Sequence, residues 1–232
     1  MNVNDTNPDI ATPVYSLNER PFCSSIDSDT FDRIQLGTMR TVYRNVPFYK
    51  SPFDIAIYLQ LLARQAPRTV IEIGTKHGGS SLWFADMMSA QGLANARVVS
   101  VDIKPLAKFT DSRIIFLEGD AKKLGAVLTH ELLQTCQRPW LIIEDSSHHY
   151  AETLATLSFF HSHLQSGDYI VIEDGIVAQL SGEHYRQYQD GPNRGVADFL
   201  SSYGNFYVID TELCDQFGYN ATYNPNGWLR RL

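Results

Sequence analysis

Val70-Ile71-Glu72-Ile73-Gly74-Thr75-Lys76-His77-Gly78-Gly79-Ser80-Ser81 decides the reading of this chain. The apolar run from Thr69 to Ile73 is rich in β-branched residues and predicts a buried strand. A tight glycine turn follows. Ser80 to Met88 then predicts a helix with serine at its start. Strand, glycine turn and helix open a nucleotide-binding βαβ unit, with free N–H groups at the helix start.

The spacing selects the ligand. A dinucleotide fingerprint reads Gly-x-Gly-x-x-Gly and seats a pyrophosphate on the helix N-terminus. Here Thr75 and Lys76 follow Gly74, and the glycine pair is Gly78-Gly79. Glu72, two residues before the turn, disfavours a pyrophosphate and favours a cationic ligand. S-adenosylmethionine carries an ammonium and a sulfonium and no phosphate. The competing reading is a plain structural turn in an α/β protein.

Outward from this turn the pattern repeats. Phe53 to Arg64 has helical spacing and stops at Pro67. A second strand, Arg97 to Ile103, ends in Asp102, placed either to bind ribose hydroxyls, as an acid at the end of the second strand of doubly wound folds can, or simply to cap the strand. A third strand ends in Gly119-Asp120, a place to flank an adenine ring. Ala121 to Thr135 predicts a helix. The fourth strand, Pro139 to Ile143, runs into Glu144-Asp145-Ser146-Ser147-His148-His149, and a helix, Tyr150 to Gln165, follows. The fifth, Tyr169 to Ile172, runs into Glu173-Asp174-Gly175. Residues 176 to 194 lack periodicity and are read as a lid or binding loop. A helix from Gly195 to Tyr203 and a sixth strand, Asn205 to Asp210, come next, and Ala221 to Leu232 allows a last strand. Five strands alternating with helices predict an α/β sheet, with acids at the strand ends where ligands bind.

Asp145, Glu173 and Asp174 form a second signal. If strands four and five are neighbours, their ends lie ~5 Å apart. Three carboxylates there repel one another, and a hard divalent cation such as Mg²⁺ relieves the repulsion; strand caps or ordinary ion pairs are the alternative. His148, three residues after Asp145, is a candidate general base, with His149 its neighbour and competitor. No His-x-Asp or His-x-Glu occurs, which counts against an iron facial triad and hence against oxygenation.

The net charge of −7 without a Lys/Arg run argues against a nucleic-acid partner. Cys23, Cys136 and Cys214 are far apart and read as free thiols of a reducing cytoplasm. No apolar run approaches ~18 residues, so no membrane span is expected, and the polar Met1 to Asn7 is no secretory signal. Residues 1–50 read as an irregular arm and lead-in segment containing a short helix at Asp29 to Leu36. Residues 51–232 read as the main domain.

Lys50-Ser51-Pro52-Phe53-Asp54, the strand and glycine turn, Val99-Ser100-Val101-Asp102-Ile103, Asp145-Ser146-Ser147-His148, Gly167 to Asp174, Gly191-Pro192 and the ending Asn224-Pro225-Asn226-Gly227-Trp228-Leu229-Arg230-Arg231 occur in order. From about residue 44 onward the chain resembles the family named for cephalosporin hydroxylase and rhamnosyl O-methyltransferase. Thr75-Lys76-His77 is bulkier than many turns of this kind. The resemblance implies a Rossmann-like class I methyltransferase fold, with a mostly parallel seven-stranded sheet and helices on both faces. It implies S-adenosylmethionine held by Glu72, Gly74, Thr75, Gly78, Ser80, Asp102, Ile103, Gly119, Asp120 and Asp145. It further implies Mg²⁺ at Asp145, Glu173 and Asp174, and His148 as base. The expected activity is O-methylation of a hydroxylated sugar or small natural product by a homo-oligomeric, cytoplasmic enzyme. The alternatives are an N-methyltransferase, the hydroxylase of the family label, or a non-catalytic binding protein with the same fold.

Overall fold

A computed structural model describes residues 19–232 of the chain. In chain order its elements are α1 (Ser28–Thr38), a hairpin of β1 (Val42–Tyr43) and β2 (Val46–Pro47), α2 (Pro52–Gln65), β3 (Thr69–Ile73), α3 (Gly79–Ala90), β4 (Arg97–Asp102) and β5 (Ile114–Glu118). Then come α4 (His130–Thr135), β6 (Trp140–Glu144), α5 (Tyr150–His161), β7 (Tyr169–Ile172), α6 (Gly191–Tyr203), β8 (Tyr207–Ile209), α7 (Thr211–Cys214) and β9 (Trp228–Arg231).

Seven strands form one sheet in the order β5-β4-β3-β6-β7-β9-β8. β3 pairs in parallel with both β4 and β6, and β6 in parallel with β7. β9 is antiparallel to both of its neighbours. Every residue of β3, β6 and β7 is buried, as expected of parallel strands covered on both faces. The chain turns outward from β3 in both directions, so the crevice at a reversal of strand order opens between the ends of β3 and β6.

The ladder itself places the loops around that crevice. Ile73 O accepts from Asp145 N at 2.7 Å, Val101 O from Gly74 N at 2.7 Å, and Glu144 O from Glu173 N at 2.9 Å. Gly74 has φ +112, and a Cβ there would collide with the Asp145 carbonyl. Glycine at this position therefore permits the closest approach of the β3 and β6 loops.

Several expected bounds shift for local reasons. The stretch from Ala121 splits into a 3₁₀ segment, Ala121–Ala126, and α4, because Thr129 caps a new helix start. α6 begins at Gly191 rather than Gly195, since Pro192 suits a first helical turn. The region 175 to 190 contains two 3₁₀ segments, Gly175–Ala178 and Glu183–Tyr188. Ile176 and Leu180 pack on Phe31 of α1 and on Tyr223, with Tyr185 at the edge.

Part of the expected arm, residues 1–18, lies outside the described residues. The remainder is built into the fold. Arg20 is buried against Asp215, Asn220 and Asn226, and Phe48 stacks on Trp83 of α3 at 5.9 Å.

Candidate active site

A cavity of about 660 Å³ lies over the β3–β6 crevice. Its floor is Gly74, Thr75, Ser80, Asp102, Asp145 and Asp174, with His148 at one side. α1 (Gln35, Leu36, Met39) and the two 3₁₀ segments (Ile176, Leu180, Tyr185, Tyr188) form its walls. A smaller cavity of about 170 Å³ shares Gly74 and Asp102 and adds Ile103, Gly119 and Asp120. Most of the expected donor-binding residues thus meet at one place.

The glycine turn is tied down through its backbone. Asp102 accepts from Lys76 N and Lys104 N, both at 2.8 Å. Thr75 turns inward, its hydroxyl 2.6 Å from that of Ser100. The Lys76 ammonium lies over the Tyr49 ring, 4.6 Å from its centre. Thr75, Lys76 and His77 all line the cavity. Gly78 (φ +81) caps α3 and faces Phe109 and Phe116 instead of the cavity.

Glu72 departs from expectation. It is fully buried and lines neither cavity. One oxygen accepts from Ser81 and Ser100, and the other has no hydrogen-bond partner. Burial raises its pKa above the ordinary glutamate value, against the pull of Lys50. The cause of its position is the strand: a mid-strand side chain follows the pleat, and here it points under α3 and not past the strand end.

Asp145, His148 and Asp174 each offer a ligand atom within 4.8 Å of the others. His148 Nε2 is 3.5 Å from Asp174 Oδ2. Both His148 and Asp174 have φ +59, left-handed values that non-glycine residues rarely adopt. The Tyr188 ring meets those of His148 and His149 at centroid distances of 5.4 and 5.1 Å. Burial raises the Asp174 pKa, while His148 lowers it.

Glu173 does not join this group. Asp174 lines the cavity, while Glu173, whose N–H continues the ladder onto Glu144 O, is buried and faces the interior. There Lys50 Nζ lies 2.5 Å from Glu173 Oε2 and 2.6 Å from Asp145 Oδ2. Tyr58 of α2 donates to Glu173 Oε1 at 2.5 Å. Burial pushes the Glu173 carboxyl well up despite Lys50. Burial alone would lower the Lys50 ammonium, but Asp145, Glu173 and Glu72 hold it well above its usual value. Of the expected ligands Asp145, Glu173 and Asp174, the structure brings Asp145 and Asp174 to the cavity and sets Glu173 behind them, linked through Lys50.

Sequence reasoning gave no role to Lys50, Tyr58 or Glu144. Lys50 and Tyr58 are brought in by α2, whose Ser51 cap fixes the helix start. Glu144 is buried and accepts from Ser146 and Thr153, which shapes the 145–149 loop.

The donor set suits a hard divalent cation. Two carboxylates with a facing imidazole offer oxygen-rich ligation, and the acids around Lys50 outnumber it. A lone aspartate pair on a surface would be solvated; these are half-buried beside a closed network.

Residues 37–232 match the family model for rhamnosyl O-methyltransferase and CmcI. The chain belongs to this family. A rhamnosyl O-methyltransferase of Mycobacterium tuberculosis is 28% identical over 200 residues, 83% of this chain and 78% of that protein. The Mycobacterium leprae protein of the same name is 29% identical over 198 residues, 82% of this chain and 83% of its own. Within the family, a solved CmcI structure with Mg and SAM superposes with a TM-score of 0.64 at 26% identity, covering 84% of this chain and 77% of that one. CmcI with SAH covers 95% and 97% at a TM-score of 0.63 and 24% identity, and shows the same fold.

Proposed function

We infer that this protein is an S-adenosylmethionine-dependent O-methyltransferase, assisted by Mg²⁺, that methylates a hydroxyl of a sugar or small natural product. The observation that carries this reading is the meeting of Asp145, His148 and Asp174 beside the Gly74 turn in one cavity. Its family, with members named for rhamnosyl O-methylation, supports the acceptor class.

In this reading the backbone at Gly74 to Ser80 and the Asp102 carboxylate hold the methyl donor. Asp145 and Asp174 would hold the cation. When bound, Mg²⁺ supplies positive charge that makes an acceptor hydroxyl more acidic. His148 would accept the hydroxyl proton, and Asp174, 3.5 Å from its Nε2, would stabilise the imidazolium that forms. The acceptor oxygen attacks the methyl carbon, the S–CH₃ bond breaks, and S-adenosylhomocysteine leaves. The walls at residues 35–39 and 176–188 orient the acceptor and exclude water. The three free cysteines support a reducing, cytoplasmic setting.

The test is methyl transfer from labelled S-adenosylmethionine to a panel of rhamnosides, with and without EDTA. Transfer that EDTA abolishes and Mg²⁺ restores supports the reading. Full transfer in EDTA refutes the metal's part, and absence of donor binding in calorimetry refutes the whole.

A further inference from the structure

We propose that Asn193 and Asn224 are positioning residues that clamp the Asp174-Gly175 backbone, so that metal affinity depends on two side chains that do not touch the metal. The proposal rests on the reading that Asp174 holds a divalent cation.

Asp174 sits in a left-handed conformation uncommon outside glycine, and its backbone is held there from two sides. From one side, Asn224 Oδ1 accepts from Asp174 N at 3.1 Å. From the other, Asn193 Nδ2 donates to Gly175 O at 2.8 Å. Gly175 has no room for a side chain, because a Cβ would run into Asn193 Oδ1 and lie 3.0 Å from Pro225 Cδ. Both asparagines are buried, Asn193 8% and Asn224 1% exposed.

The two clamps come from distant parts of the chain: Asn224 opens the ending that carries the resemblance, and Asn193 directly follows its Gly191-Pro192. Gly191-Pro192-Asn193 forms the first turn of α6, which presses on the His148 carbonyl at Gly191. Asn224 lies in the loop before β9, and that loop is itself anchored. Asn224 N donates to Thr222 Oγ1 at 3.0 Å, and Tyr223 N donates to Asp54 Oδ2 at 3.1 Å. Gly227 N donates to Asn224 O at 2.9 Å, and Gly227 O accepts from Ile172 N at 2.9 Å. Asn226 in turn holds Arg20 and Pro21. Asn224 is therefore a fixed post and not a mobile contact. Residues that fix a ligand's orientation from behind typically change metal affinity ~10–100-fold when removed.

The experiment titrates Mn²⁺ alone into the full-length protein by calorimetry, comparing wild type, Asn193→Ala and Asn224→Ala. S-adenosylmethionine affinity in EDTA is measured beside it. We expect the Mn²⁺ Kd to rise at least ~10-fold in either variant, with S-adenosylmethionine affinity in EDTA changed less than about threefold, since the glycine turn lies on other loops. A purely structural role moves both affinities together. Asn193→Ala decides the matter, being the less buried. An unchanged Mn²⁺ Kd in folded Asn193→Ala overturns the clamp. Loss of fold in Asn193→Ala, or parallel loss of both affinities, also overturns it in favour of a structural role. Absence of Mn²⁺ binding to wild type refutes the metal reading itself, an outcome distinct from failure of the clamp.

Discussion

Replacing Lys50 by methionine tests the interior of the site most directly. The change keeps the volume of the side-chain stem and removes the ammonium. Lys50 is 3% exposed at its side chain and reaches two carboxylates, Asp145 at 2.6 Å and Glu173 at 2.5 Å. Without it, Glu173 keeps only the Tyr58 hydroxyl as an observed side-chain donor, and Asp145 loses its ion pair. Removing one partner of a buried pair costs about 3–5 kcal/mol, because an uncompensated charge is left behind. At roughly 2–4 °C per kcal/mol for a chain of this size, the metal-free protein should melt about 6–20 °C lower. Mg²⁺ should then stabilise the variant more than the wild type, since the freed acids attract the cation more strongly and binding to the folded state alone raises its stability. The assay is thermal denaturation of both proteins in EDTA and in saturating Mg²⁺. A variant that melts within about 3 °C of wild type in EDTA, or gains no more from Mg²⁺ than wild type does, refutes the reasoning.

Other outcomes follow from single residues. His148→Ala should lower kcat by about 10²–10⁴-fold, the range for a general base, with S-adenosylmethionine affinity retained; unaltered turnover sinks the base assignment. Burial raises the Asp54 carboxyl to about 6 from 3.8, against hydrogen bonds from Thr222, Ser51 and Tyr223 N. Its folded value lies above the unfolded one, so its contribution is fully present below about pH 4 and is lost as pH rises through about 6. Stability should fall by roughly 1–1.5 kcal/mol from this group between pH 5 and 7. In Asn-substituted protein, Asp54→Asn, that part of the slope disappears; an identical slope in denaturant titrations at the two pH values counts against the burial of a proton there.

The strand, glycine turn and helix at residues 69–90 were legible in the sequence because glycine conformation, apolar runs and helix caps are local properties. So was the gathering of Asp102, Asp145, Asp174 and His148, since parallel strands with short loops put all their C-terminal ends on one edge. The tertiary structure alone decided where the acids point. β3 and β7 are buried on both faces, so no polar alternation in the sequence says which way Glu72 or Glu173 turns; pairing and helix packing set Glu72 under α3 and Glu173 against Lys50. Nor does sequence reveal that Lys50, Asn193 and Asn224, separated by up to some 170 positions, converge behind two adjacent carboxylates. Those contacts exist only after the sheet has closed the distance, because each is made by a side chain whose own neighbourhood in the chain carries no sign of its partner.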